Sequence, residues 1–132
     1  MENIEYKYDV KPEAAQILEL YQSAGLDRPL DEARIRQIYL NSKLVITAWD
    51  RHLLVGVARS ITDLYYACYL SDLAVRREYQ KQGIGKSLVT RTKTFVGSTT
   101  MLLILATPEA IDFYHLLGIE QINNAFKIPR EH

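Results

Sequence analysis

Two glycines one residue apart, in the run Gln80-Lys81-Gln82-Gly83-Ile84-Gly85-Lys86, carry the clearest chemical meaning in this chain. They follow the apolar, β-prone run Leu73-Ala74-Val75 and open a segment whose inward-facing residues recur as Ile84, Leu88, Thr92 and Phe95. The stretch therefore reads as strand, loop and helix. A helix N-terminus carries unpaired backbone N–H groups at the positive end of the macrodipole and attracts anions. Glycine at 83 and 85 removes Cβ atoms that would hold a phosphate off those amides. Lys81 and Lys86, with Arg76 and Arg77 a little upstream, add positive charge. The simplest product is a pyrophosphate cradle.

Two familiar phosphate loops match incompletely. The dinucleotide pattern G-x-G-x-x-G needs a third glycine where Leu88 stands. The P-loop fits at Gly85-Lys86-Ser87, but Gln80 replaces its first glycine and the later strand Met101-Leu102-Leu103-Ile104-Leu105 ends in Ala106-Thr107, without a magnesium-holding Asp. A third pattern, Q/R-x-x-G-x-G/A, is met by Gln80 through Gly85 and resembles the acyl-CoA pyrophosphate loop of the GNAT family of N-acetyltransferases. Downstream, Ala110-Ile111-Asp112-Phe113-Tyr114-His115-Leu116-Leu117-Gly118 is similar to that family's A-x-x-F-Y-x-x-x-G-F segment. The resemblance covers about residues 42 to 124; the first forty match only in pattern.

What the resemblance implies can be written residue by residue. The fold would be an α/β GNAT domain over residues 1–132, a central mixed sheet flanked by about four helices. Backbone groups of Leu73, Ala74 and Val75 would pair with the pantetheine arm as an added strand does. Amides from Gln80 or Lys81 through Gln82, Gly83, Ile84, Gly85 and Lys86 would take the pyrophosphate. Acetyl-CoA would be the cosubstrate, with no metal, and a small-molecule amine would attack the thioester directly. Tyr114 occupies the family's tyrosine position, as general acid to the departing thiolate or as a hydrogen bond to sulfur. Where some members carry a Glu on the central strand, this chain has Tyr69, a base or water-positioning candidate, although a neutral phenol is a poor base near pH 7. Thr107 stands at a frequent Asn position and keeps one hydrogen bond to the cofactor; Ile119 replaces the usual phenylalanine after Gly118.

Other residues invite chemistry and have plainer readings. Asp72 is acidic but, by strand alternation, points away from the face shared by Tyr69, Ser71 and Leu73, which makes it structural. His115 turns about 100° from Tyr114 on a helix and leaves its face. His52 and His132 lack metal-like spacing. Cys68 lies mid-strand without a neighbouring motif that supplies His or Asp, as a small buried hydrophobe does. Two other functions remain open on these residues: a non-catalytic acyl-CoA-binding or sensing module, favoured by the missing Glu, and a protein N-acetyltransferase.

The elements that would position these groups follow from periodicity. Residues 3–9 alternate as a half-buried strand. Pro12 suits a first helical turn, and Ala14, Ala15, Ile17, Leu18 and Tyr21 make a stripe that Gly25 stops. Residues 25–30 read as a loop in which Asp27 and Arg28 are solvated, and Asp31 is a plausible N-cap for a helix carrying Ile35, Ile38 and Tyr39. By the resemblance, this helix pair walls the acceptor pocket, where Tyr21, Tyr39, Tyr65, Tyr66 and Tyr69 hint at an aromatic lining. A hairpin of 44–50 and 53–59 turns at Arg51-His52. Residues 65–75 should be the longest strand and central. The helix after the glycines ends at Gly97. Residues 100–106 form a continuous apolar run, suited to a strand buried on both sides. Pro108 opens a short helix that Gly118 caps, and Ile119 to Ile128 offer one or two strands before Pro129.

Composition bounds the rest. At 132 residues, with 48% hydrophobic and 24% charged residues, one folded core is expected. Sixteen basic residues balance sixteen acidic ones, so no global field favours nucleic acid or anionic lipid. A lone cysteine, a start Met1-Glu2-Asn3-Ile4-Glu5 unlike a secretory leader, and no apolar run of membrane-spanning length predict a cytoplasmic protein; the family resemblance implies a monomer or homodimer without preferring either.

Overall fold

The computed structural model describes residues 3–29 and 31–132. Leu30, the last residue of the expected loop, and Met1 and Glu2 of the stretch read for a leader lie outside them. Strand β1 spans Ile4–Lys7, helix α1 Ala14–Ala24, helix α2 Glu32–Leu40, and strands β2, β3 and β4 span Leu44–Asp50, Leu53–Thr62 and Ala67–Val75. Helix α3 is Ile84–Val96, strand β5 Met101–Ile104 and helix α4 Ile111–Leu116, with single 3₁₀ turns at Arg77–Tyr79 and Pro108–Ala110. The strands form one sheet in the order β1-β2-β3-β4-β5, antiparallel until β5, which runs parallel to β4 after the α3 crossover. This is the mixed sheet with four helices expected from the sequence.

Local signals explain most boundaries. Glu13 and Gln16 form a capping box at α1, and Gly25 closes it in the left-handed region at φ +75°. Asp31 caps α2 by accepting from Ala33 N–H at 2.9 Å. Arg51 takes the left-handed turn position between β2 and β3 at φ +58°. Gly118, at φ +78°, ends the segment that begins at Pro108.

Alternation along the strands feeds two cores. Val45, Trp49, Val57 and Ala74 pack with Ile17, Leu20, Tyr21 and Ile35 of α1 and α2. Ile46, Ala48, Val55, Cys68 and Leu70 pack with Ile84, Leu88 and Val96 of α3, with Tyr114 and Leu117 against them.

Several expectations need correction. The longest strand is β3, with 10 residues against 9 in β4. Tyr65 and Tyr66 lie in the loop before β4, where Asp63 Oδ1 accepts from both of their N–H groups. Phe95 is half exposed, and Val89 and Val96 take the buried positions of α3. The apolar run at 100–106 yields only a four-residue edge strand, with Met101 in it and Leu105 just beyond its end more than half exposed, because nothing described pairs with its outer side. Residues 119–128 form no strand: they find no partner strand among the described residues.

Candidate functional site

The sheet opens where β4 outruns β5. Their parallel pairing covers Ala67 to Leu70 against Met101 to Ile104 and stops there. From Ser71 to Val75, β4 keeps β3 on one side and, among the described residues, has no paired strand on the other. Unpaired N–H and C=O groups along such an edge can accept an extended chain as a further strand. Leu73, Ala74 and Val75 lie in this stretch, Ala74 buried and the other two half-buried.

The glycine loop follows directly. Gly83 is the N-cap of α3 at φ +92°, a left-handed conformation that strains any residue with a Cβ, and no side chain caps the helix. The orphan amides at the start of α3 are thus open to an anion, with Lys81 and Lys86 exposed beside them. Gln80 is committed elsewhere: its N–H donates to Arg77 O at 3.2 Å and its side-chain amide to Val75 O at 2.8 Å. The usable run of amides therefore starts at Lys81.

Gly85 has a reason beyond phosphate access. A Cβ there would stand 3.1 Å from Phe113 Cζ, so this glycine lets α4 close onto the start of α3. Arg76, expected to add charge to the cradle, turns away: it donates to Leu54 O at 3.0 Å and pairs with Glu19 of α1 at 2.9 Å.

Tyr114 is half-buried in the α3-side core, in the same cluster as Leu73 and Val75, and meets Phe113 edge-on at 5.0 Å between ring centroids. Burial pushes its phenol above the usual tyrosine range, so it holds its proton at neutral pH. His115 leaves that face, as helical geometry requires, and bonds Gln121 Oε1 at 2.7 Å in the open. Thr107 is exposed at the end of the β5 connection and its carbonyl accepts from Ala110 N–H.

On the opposite face, the structure assembles a polar network that alternation alone misplaces. The β3–β4 register shifts so that Arg59 faces Asp72 while Ser60 faces Leu70, leaving Ser71 unmatched. Such a bulge inserts one residue and inverts the faces beyond it. Cys68 and Leu70 point to α3, but Asp72 and Ala74 point to α1. Asp72 consequently shares the α1 and α2 side with Tyr69, contrary to the sequence expectation.

Asp72 is 1% exposed and fully engaged. Its Oδ2 accepts from Tyr21 Oη at 2.7 Å and Arg59 Nε at 2.8 Å, and its Oδ1 from Arg28 Nε at 2.7 Å. Tyr21 and Tyr39 share a 2.5 Å bond between hydroxyls. Arg59 donates onward to Ser42 Oγ and Ser71 Oγ, each at 2.8 Å. Arg28 also donates to Ser71 O at 2.9 Å, satisfying the carbonyl of the bulged residue. Burial would push the Asp72 carboxyl up, but the bond and charge of Arg59 and the charge of Arg28 outweigh it and hold it below the usual range. Burial, then the neighbouring Tyr39 and Asp72, drive the Tyr21 phenol far up; burial likewise raises Tyr39. Neither serves as a base near neutrality.

Arg28, read from sequence as a solvated loop charge, is therefore a clamp between the α1–α2 loop and the sheet. Arg59, Tyr21 and Ser42 were not singled out for this role. A charged residue in each of two apolar strands, Arg59 and Asp72, was the available signal, since buried charges pair. Cys68 is buried among apolar neighbours. Among the described residues, no group of three His, Cys, Asp or Glu side chains could hold a metal, and no helix is long and apolar enough to cross a membrane.

Comparisons with known proteins bear on the family and the fold. A family model described as the acetyltransferase (GNAT) domain matches residues 14–128. A chloroplastic GCN5-related N-acetyltransferase of Arabidopsis thaliana is 33% identical over 69 residues, 51% of this chain and 27% of that protein, so the chain spans about a quarter of that relative's length. Among solved structures, a Staphylococcus aureus protein of unknown function described as a probable acetyltransferase superposes with a TM-score of 0.85 at 18% identity, covering 98% of this chain and all (100%) of that one. A GNAT-family acetyltransferase of Streptococcus pneumoniae gives 0.71 at 26% identity, over 98% of this chain and 100% of that one. An aminoglycoside acetyltransferase from an uncultured soil sample, in complex with trehalose, gives 0.72 at 23% identity, over 96% and 97% of the two chains.

Proposed function

The chain belongs to the GNAT acetyltransferase family, and from that premise we propose that it is an N-acetyltransferase passing the acetyl group of acetyl-CoA to the amine of a small molecule by direct attack. The observation that carries this reading is the free side of β4 from Ser71 to Val75 leading straight into the uncapped start of α3. These groups fit the donor. Main-chain groups of Leu73, Ala74 and Val75 hold its extended arm, and the amides of Lys81, Gln82, Gly83, Ile84, Gly85 and Lys86 hold its diphosphate, with two lysine charges alongside. Bound there, acetyl-CoA supplies an acyl group activated as a thioester.

Tyr114 donates the proton that the departing thiolate needs, and the burial that keeps its phenol protonated suits it to that task. Tyr69 sits on the α1 and α2 side and positions a water that relays the amine's proton. Thr107 adds a hydroxyl at the end of the β5 connection. The reading takes residues 1–132 as one catalytic domain working in the cytoplasm, where a lone buried cysteine is at home. Aminoglycosides belong in any acceptor panel, because one similar structure is an aminoglycoside acetyltransferase.

A second reading, a non-catalytic acyl-CoA sensor, is favoured by Asp72: the acidic residue of β4 is spent on two arginines and is not free to take a proton. Acetyl-CoA at a hundredfold its Kd should stabilise the protein by about 2.7 kcal/mol; no stabilisation at millimolar concentration removes both readings. Thiol release measured across a panel of amines then separates them. Acceptor-dependent release supports the enzyme, and binding without release supports the sensor.

A further inference from the structure

The charges of the polar network on the α1 and α2 face do not cancel. Asp72 brings one carboxylate to it, and Arg28 and Arg59 bring two guanidinium groups. Tyr21 and Tyr39 add no negative charge, because burial holds both phenols protonated. Asp72 and Arg59 already make a neutral pair, with side chains 2% and 8% exposed. The surplus cation is Arg28, which stands where the network meets solvent with 28% of its side chain exposed.

The acids of the adjoining loop and helix do not neutralise it. Asp27 is exposed and offers Arg28 its main-chain carbonyl, at 2.7 Å. Asp31 caps α2 through Ala33 N–H, and Glu32 pairs with Arg36 at 3.9 Å. A guanidinium has five N–H donors. Arg28 uses three, on Asp72 Oδ1, Ser71 O and Asp27 O, and among the described residues one N–H on each terminal nitrogen has no acceptor. A clamp needs the first three. The two that remain, on one planar group at the solvent boundary, suit a carboxylate held through both of its oxygens.

Ser71 fixes where this group lies. It is the first residue on the free side of β4, and its carbonyl accepts from Arg28 at 2.9 Å. The amides proposed for the diphosphate follow the C-terminal end of β4, so a donor arm running back along Val75, Ala74 and Leu73 brings its thioester toward Ser71. The attacking amine must arrive there, and Arg28 borders that point from the α1–α2 loop.

Resting on the acetyl-transfer reading, we propose that the acceptor is an amine that also carries a carboxylate, bound by the two unused N–H groups of Arg28 while the amine meets the thioester. The amine nitrogen bonds the acetyl carbon, and the carbon–sulfur bond breaks with its electron pair going to sulfur. Tyr114 protonates the sulfur, and the proton that leaves nitrogen enters water, from which Tyr114 is restored. The carboxylate is held alike before and during the reaction, so Arg28 acts on affinity and not on the chemical step. A polycationic acceptor is disfavoured, because a further ammonium would face an uncompensated guanidinium.

Acetyl-CoA-dependent thiol release by the intact protein tests this with glycine, β-alanine and γ-aminobutyrate, each against its own primary amide, and with an aminoglycoside. The three acids vary the distance between amine and carboxylate. At equal concentrations of neutral amine, kcat/KM for at least one acid should exceed that for its amide by roughly tenfold or more, as a hydrogen bond between charged groups provides. Arg28→Gln should bring that ratio near one by raising KM for the acid, with kcat and the amide reaction little changed. Both rates come from one sample, so a partly unfolded variant leaves the ratio intact, and Arg28→Lys, which keeps the charge without the fork, should fall between wild type and Arg28→Gln. Release by wild type that favours none of the acids, or an acid preference that survives Arg28→Gln, overturns the carboxylate and leaves acetyl transfer standing. Release with none of these amines overturns both.

Discussion

On the α1 and α2 face of the sheet, one carboxylate, two guanidinium groups, two phenols and two serine hydroxyls meet in a closed network whose members come from five separate segments. On the α3 and α4 face, the corresponding core is apolar, and the groups available for binding are main-chain amides and the free side of β4. The first face is fixed by side-chain chemistry, and the second recognises through backbone. Side-chain networks fail when one member is removed, whereas backbone sites tolerate most substitutions and are sensitive to conformation. The two faces should therefore break in different ways.

The largest effect should come from Asp72→Ala. Arg59, with its side chain 8% exposed, would be left as an uncompensated buried cation, and removing one partner of a buried pair costs about 3–5 kcal/mol. Urea unfolding at pH 7 checks this; a loss below about 1 kcal/mol would show that water or Tyr39 neutralises the site. The network also fixes a pH response. The folded Asp72 carboxyl lies below its ordinary value, so its contribution is complete above the unfolded carboxylate pKa of about 3.9 and is lost as pH falls through the lower, folded value. Asp72→Asn should flatten that part of the acid unfolding curve.

The next effect belongs to the other face and to activity. Tyr114→Phe keeps the ring that packs on Phe113 and removes only the hydroxyl, so folding should hold. In the proposed reaction, loss of a positioned proton donor lowers turnover by about a hundredfold or more, with the Kd for acetyl-CoA changed little. Equal losses in turnover and affinity would turn Tyr114 from a proton donor into a binding residue.

How much of this was legible depended on how local the cause was. The cap at Asp31, the stop at Gly25, the turn at Arg51, helix α3 and the glycine loop are each set by a few consecutive residues, and all were readable. The bulge at Ser71 was not, because the register is set by β3, and with it went the side to which Asp72 points. The Arg28 clamp spans 44 positions to Asp72, and no spacing rule reaches that far. The strands expected in 119–128 do not form, for a similar reason: strand composition does not supply the partner that pairing needs. On the site, the motif found the loop and the tyrosine helix; the contact that joins them, Gly85 against Phe113, appeared only in three dimensions.

Gly83→Ala tests conformation on the backbone face. The left-handed φ of +92° costs an L-residue about 1–2 kcal/mol, with open space around the new methyl group. Stability should fall by that amount, and the affinity for acetyl-CoA should fall as well, because relaxing the strain re-aims the amides. Calorimetric titration on the folded variant checks this. Unchanged affinity would mean that the amides after Gly83 do not hold the diphosphate.

The smallest effect should come from Gln80→Ala, and it separates the two kinds of face most finely. The Gln80 side chain donates to Val75 O at 2.8 Å from an exposed position, so water replaces it readily and the loss of stability should stay near or below about 1 kcal/mol. Its proposed value is positional: it ties the loop to the end of β4, the junction between the segment that takes the arm and the amides that take the diphosphate. Loosening that tie should weaken acetyl-CoA binding by more than the change in stability accounts for, and Gln80→Glu, which cannot donate to the carbonyl, should behave as Gln80→Ala does. If both variants bind as wild type, the loop is held by Gly83 and the Gly85–Phe113 contact alone, and the backbone face is stiffer than its sparse side-chain bonding suggests.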